Sequence, residues 1–329
     1  MILLRSIPMK AFQRHSWSLS RLYLMGALLI FTAGMKSEGR IAFEGEVFSS
    51  TLGTNRMVRI YLPPGYDQSP RKRYPVLYVH DGQNAFTTAG PHAAFGWGNW
   101  ELDKTADQLI DSGKMRPIIM VAIDCSELRY REYRGPGGGA RSTDRTKAKD
   151  MEDSLFARYA GFLTRELKPK IDSEYRTLPG PATTGTLGSS MGGICSLALG
   201  WEYPETFGAI ASLSGAFQIE RKNFLRRLQR YDDSPKKFRV YLDSGVVDFS
   251  GGDDGAADTA AVANELVRIG WKPGKTLVHF VDDKPLTADQ LKPYGLDAGK
   301  TKEAQTSQHN EFYWRIRAHR PLTFLFPPK

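Results

Sequence analysis

The chain has 329 residues, of which 41% are hydrophobic and 25% charged. This is ordinary globular composition, enough for one large α/β domain or two small ones, and no internal repeat or long low-complexity tract interrupts it. Its formal charge of +9 overstates its basicity. Arg5, Lys10, Arg14 and Arg21 precede an apolar run from Leu22 to Phe31, and small residues follow at Thr32, Ala33 and Gly34. That order is the n-region, h-region and cleavage region of a secretory signal. The apolar run falls short of the ~20 residues a spanning helix needs. Residues 1–34 are therefore expected to be a signal peptide, or else an uncleaved N-terminal anchor, and residues 35–329 a single domain. The expected location is secreted or periplasmic, with a membrane-anchored form as the alternative and no stable insertion after cleavage. Without the four basic residues the charge is +5. No Lys/Arg stripe is interleaved with aromatics, which argues against nucleic-acid binding.

In chain order, strands are expected from Ile41 to Phe48 and from Val58 to Leu62, the second stopped by Pro63-Pro64-Gly65. Tyr74–His80 and Pro117–Asp124 are apolar runs suited to strands buried on both faces. A helix is expected over Leu102–Leu109. From Asp153 to Leu167, apolar residues fall at helical spacing, and Pro169 is expected to close that helix. The strand Thr183–Leu187 and a helix over Ile194–Leu199 bracket Gly188-Ser189-Ser190-Met191-Gly192. Strands at Phe207–Leu213, Phe238–Asp243 and Lys275–Val281 alternate with helices near Arg221–Tyr231 and Ala256–Ile269. The end of the chain, Phe312–Phe326, reads as a helix kinked at Pro321. Such alternation implies a mostly parallel sheet with helices on both faces, and a ligand site at the carboxyl ends of the strands.

The pentapeptide 188–192 reads G-x-S-x-G between a strand and a helix, the setting of a nucleophile elbow. Ser190 is then a candidate nucleophile, which needs a base and a group to orient that base. Of the histidines after it, His279 sits mid-strand and His319 inside the last helix. His309 lies in the polar loop just before that helix, where a loop-borne base is expected. For the acid, Asp248 lies beyond a glycine turn after the strand ending at Leu242, and is favoured over Asp243 at the strand tip. Asp253, Asp254 and Asp258 lack calcium-loop spacing and read as a solvated loop and helix N-terminus. Oxyanion donors are expected from the backbone N–H groups of Met191 and of Gln83, in the loop His80-Asp81-Gly82-Gln83-Asn84. Phe86, Phe95, Trp97 and Trp100 are candidates to line an acyl or alcohol pocket, with core packing equally open for Trp100. Asp81 and Arg129 are further candidates for substrate contact. The two cysteines, Cys125 and Cys195, are read as buried free thiols, with a disulfide as the alternative in an exported chain.

An ordered set of segments resembles the putative esterase family of α/β-hydrolases, which includes esterase D-type enzymes, feruloyl esterases, siderophore esterases and mycolyltransferases. The set comprises 61–66, 74–84 (Tyr-Pro-Val-Leu-Tyr-Val-His-Asp-Gly-Gln-Asn), 129–133, 171–177, 188–193, 245–248 and 309–315. The resemblance implies an α/β-hydrolase fold, Ser190 as nucleophile, Asp248 as acid, His309 as base and an oxyanion hole at Gln83 and Met191. It also implies a serine esterase acting on a small-molecule or carbohydrate ester, either an aryl or acetyl sugar ester or a siderophore-type ester. An acyltransferase using the same triad is the alternative, and a binding protein on a hydrolase scaffold a further one. No metal or organic cofactor is implied. Two stretches are longer than the family pattern, 134–149 and 282–308, and read either as a lid or as surface insertions.

Overall fold

The computed structural model describes residues 38–137, 155–294 and 307–328. The expected signal segment, residues 138–149 of the first long stretch and residues 295–306 of the second lie outside the described residues. Among the described residues there are eight strands: β1 (Arg40–Ser49), β2 (Thr54–Leu62), β3 (Val76–His80), β4 (Ile119–Ile123), β5 (Thr184–Ser189), β6 (Ala209–Leu213), β7 (Arg239–Ser244) and β8 (Leu277–Val281). They form one sheet in the order β1-β2-β4-β3-β5-β6-β7-β8. The pairs β1–β2 and β2–β4 are antiparallel, and every other pair is parallel. The longer helices are α1 (Leu102–Asp111), α2 (residues 155–174), α3 (Met191–Glu202), α4 (Ile219–Gln229), α5 (Ala256–Ile269), α6 (Glu311–Arg317) and α7 (His319–Leu325). This is the α/β-hydrolase arrangement, as expected.

The apolar runs become central strands because both of their faces are covered. In β3, Val76 and Tyr78 point into a core shared with α2, α3, α4 and α5. Leu77 and Val79 point into a second core shared with α1, α6 and α7. All five β3 residues are buried, so the period-2 alternation of a half-exposed strand is absent.

Two helices depart from the sequence reading. Helix α2 does not end at Pro169 but continues to Glu174, and it carries a π-helical stretch at Phe162–Leu167. The wider π turns immediately before Lys168 accommodate a ring that an α turn would crowd. The C-terminal helix is two segments that meet at Ala318. Pro321 has no N–H to offer the Arg317 carbonyl, so the break falls three residues ahead of the proline. Cys125 and Cys195 are both free. Cys195 is buried in α3 and Cys125 is only partly buried.

Candidate active site

Ser190 joins β5 to α3 at φ 52° and ψ −119°. A side chain held there stores strain on the order of 1–3 kcal/mol, which persists only where neighbours over-determine it. Here the Ser190 N–H donates to the Leu213 carbonyl at the tip of β6 (2.9 Å), and the Ser190 carbonyl accepts from the Ala216 N–H (3.0 Å). The glycine before it is obligatory: a Cβ on Gly188 would lie 2.4 Å from the Gly192 backbone. Beneath the elbow, the buried His80 ring bonds Thr186 Oγ1 through Nε2 (2.8 Å) and the Tyr159 hydroxyl through Nδ1 (2.9 Å). Burial lowers the His80 pKa to about 4, so the imidazole is neutral near pH 7.

His309 precedes α6 in a loop that is fixed to the end of β7. The buried Gln308 side chain accepts from Val246 N–H through Oε1 (2.7 Å) and donates to the Asp282 carbonyl through Nε2 (2.9 Å). Its own N–H reaches the Val247 carbonyl (2.8 Å). Asn310 caps α6, with Oδ1 accepting from the Tyr313 N–H (3.2 Å). Edge-on contacts from Trp314 and Phe249, at 5.1 and 5.9 Å between centroids, flank the His309 ring.

The carboxylate against His309 belongs to Asp254, whose Oδ1 lies 2.6 Å from Nδ1. Its Oδ2 accepts from Ser214 Oγ (2.7 Å) and Gly245 N–H (2.6 Å), and its side chain is fully buried. The expectation for Asp248 is corrected here. Asp248 Oδ1 accepts from the Ser250 N–H (2.8 Å), the Ser250 hydroxyl (2.7 Å) and the Gly252 N–H (2.7 Å). Its Oδ1 is thus committed to its own turn, and the His309 ring is met by Asp254 instead. Partial burial pushes the Asp248 pKa up, but those hydrogen bonds outweigh it and the net shift is downward. Asp254 also corrects the solvated-cluster reading. Its neighbour Asp253 ties down the start of α5, accepting from Gly255 N–H (3.0 Å) and from Ala257 N–H in the first turn (2.9 Å). Two adjacent carboxylates are more than one helix start needs, a signal that one of them serves elsewhere.

Ser190 and His309 line a single cavity of about 620 Å³, with Gln83, Trp97, Trp100 and Trp314 among its walls. Gln83 is anchored by its amide, which donates to Cys125 Sγ and accepts from Cys125 N–H, both at 3.2 Å. A Cβ on Gly82 would meet Ile123 N at 2.5 Å, so this loop presses on the end of β4. Met191 opens α3, where the first N–H groups have no intrahelical acceptor. Asp81 and Arg129 line the same cavity but engage each other in a bidentate pair (2.6 and 2.7 Å). Phe86 does not line the cavity: it is fully buried in the second core and packs on Tyr61 at 6.2 Å. Phe95 has no described side chain. Glu311, not anticipated from sequence, also lines the cavity. Burial raises its pKa to about 7, and its Oε1 accepts from Asn84 Nδ2 at 3.0 Å. Among the described residues no His/Cys/Asp/Glu group could hold a metal ion.

The putative esterase family model matches residues 49–269, a span that holds Ser190 and Asp254 and ends before His309. Uncharacterized protein YbbA of Bacillus subtilis is 27% identical over 237 residues, covering 72% of this chain and 82% of that protein. An endo-1,4-beta-xylanase/feruloyl esterase of Xylanibacter ruminicola is 28% identical over 171 residues, 51% of this chain but only 20% of that longer protein. Among solved structures, a ferulic acid esterase superposes with a TM-score of 0.61 at 17% identity, covering 88% of this chain and 98% of that one. The enterobactin esterase FES from Shigella flexneri gives 0.60 at 17% identity, covering 89% and 63% respectively. At such identities the two structures bear on the fold alone.

Proposed function

The chain belongs to the putative esterase family and is a carboxylic ester hydrolase, and we propose that it acts through an acyl-enzyme on Ser190, with His309 as base and Asp254 as the orienting acid. The observation that carries this reading is the 2.6 Å contact between Asp254 Oδ1 and His309 Nδ1, in the cavity that also contains the strained serine. A carboxylate at Nδ1 places the proton there and leaves Nε2 free to accept one. His309 Nε2 takes the Ser190 hydroxyl proton as Oγ attacks the ester carbonyl. The carbonyl oxygen becomes an oxyanion facing the N–H groups of Met191 and Gln83. Collapse expels the alcohol, which takes the proton from His309. Water then repeats the sequence on the acyl-enzyme, releasing the acid and restoring Ser190.

The substrate of this reading is an extracytoplasmic ester with an aromatic acyl group, of the feruloyl or catechoyl kind. Trp97, Trp100, Trp314 and Phe249 on the cavity walls support it, because flat aromatic faces pack well on one another. Purified protein assayed on 4-nitrophenyl acetate, methyl ferulate and an acetylated sugar tests both halves. Ser190→Ala is expected to lose at least about a thousandfold in kcat, and an equally active variant overturns the mechanism. A preference for the acetyl sugar over methyl ferulate overturns the substrate class. For location, the Arg/Lys-then-apolar order of residues 5–34 motivates the proposal of export. Deletion of residues 1–34 should trap the protein inside the cell, and continued export would refute it.

A further inference from the structure

Behind Asp254 lies a buried polar chain that ester chemistry on the cavity side does not touch. Ser214 sits just past the tip of β6 at φ 44°. Its N–H donates to the Asp243 carbonyl (2.9 Å) and approaches Asp243 Oδ1 (3.2 Å). Its hydroxyl accepts from Arg317 Nη2 (2.8 Å) and from Trp314 Nε1 (3.1 Å). A hydroxyl has two lone pairs and one hydrogen. Both lone pairs are taken by donors that cannot reverse, so the hydrogen has one destination, Asp254 Oδ2 at 2.7 Å. Arg317 is itself buried and faces Asp243 (3.4 Å from Nε) and Asp282 (3.8 Å from Nη1). The Tyr241 hydroxyl donates to Asp243 from the strand side (3.1 Å).

We propose that Ser214, its rotor fixed by Arg317 and Trp314, is the positioning residue that holds the Asp254 carboxylate square to His309, and that Asp243 and Asp282 hold Arg317 for this task. This rests on the triad reading above. Packing alone does not account for the chain. Burying an Arg–Asp pair costs desolvation that their attraction must repay, and well-packed apolar residues do as well or better. The directional features are the ones retained: Arg317 and Trp314 donate to Ser214 Oγ, and Ser214 Oγ donates to Asp254, one step closer to His309 each time. Ser214, Arg317, Trp314, Asp243 and Asp254 are all buried, so water cannot substitute for a missing link among them.

The test compares Ser214→Ala, Arg317→Gln and Arg317→Lys with wild type and with Asp254→Asn, using steady-state kinetics on a soluble aryl ester across pH. Ser214→Ala removes one hydroxyl and is expected to lower kcat about tenfold with KM unchanged and the fold retained by circular dichroism. Arg317→Gln loses the charged donor that fixes the Ser214 hydroxyl and is expected to lower kcat about tenfold with KM unchanged. Arg317→Lys keeps a charged N–H donor and should recover part of that kcat, a rescue and a kcat-against-KM split that a merely structural arginine would not produce. If Asp254→Asn is as active as wild type, the triad reading itself fails. If Asp254→Asn is inactive while Ser214→Ala matches wild type, the present inference alone fails. If Arg317→Gln does not fold, Ser214→Ala still decides.

Discussion

A carboxylate orients a histidine only where its turn brings a free oxygen up to the ring. In Asp248 three donors of the 248–252 turn pin one oxygen to its own loop, and the ring nitrogen is met by a different residue. In Asp254 one oxygen is fixed by Ser214 and Gly245 and the other meets His309 Nδ1. The two residues are six positions apart on the same loop, and spacing from the strand cannot rank them. What ranks them is the hydrogen-bond inventory of each turn, which a linear reading lacks. Asp254→Asn is expected to lower kcat by about 10³–10⁴-fold through the wrong imidazole tautomer, and Asp248→Asn to stay within about threefold of wild type. Parallel kinetics on the two variants check this, and an inactive Asp248→Asn with an active Asp254→Asn would reverse the assignment. By contrast, the placement of Ser190 at a strand–helix turn and of His309 in a loop on the same rim was legible, one from a motif whose first glycine is sterically required and the other from a polar loop before a helix.

At the scale of elements, the buried strands were legible because apolar runs of five to eight residues bounded by Pro, Gly and charge have few other uses. The helices were less so where proline was involved. Pro169 stops an α-helix in a sequence reading, yet the π turns before it carry α2 through. Pro321 was read as a kink in one helix, and it splits that helix at Ala318. Phe86 was misplaced for a related reason. Its neighbours in the 81–84 loop do reach the cavity, but the chain turns at Ala85 and Phe86 enters the core under α1. Sequence adjacency to a site does not fix which way a ring points when the intervening backbone is a single 3₁₀ turn.

For the whole molecule, the buried neutral His80 makes stability depend on pH. A free imidazole titrates near 6.5, and this one near 4. Between those values the unfolded chain binds a proton that the native chain refuses. Stability from this group is therefore complete above 6.5 and is withdrawn as pH falls toward 4, by a total on the order of 3 kcal/mol. Asp243 and Glu311 act in the opposite sense. Burial raises their pKa values to about 6 and about 7, so acid favours the native state through these two. The contribution of His80 is isolated by comparing His80→Gln with wild type in denaturant melts. The variant loses bonds to Tyr159 and Thr186 and should be the weaker protein at about pH 7.5, and that gap should narrow as pH falls to about 4. A gap that stays constant across the range would refute the linkage.

The same final segment that carries His309 also carries Trp314 and Arg317 and then seals the second core through α7. Docking of one segment therefore sets His309 beside Ser190 and completes the sheet face that α1 covers only in part. Under the proposed mechanism, ester cleavage reports that this segment has docked.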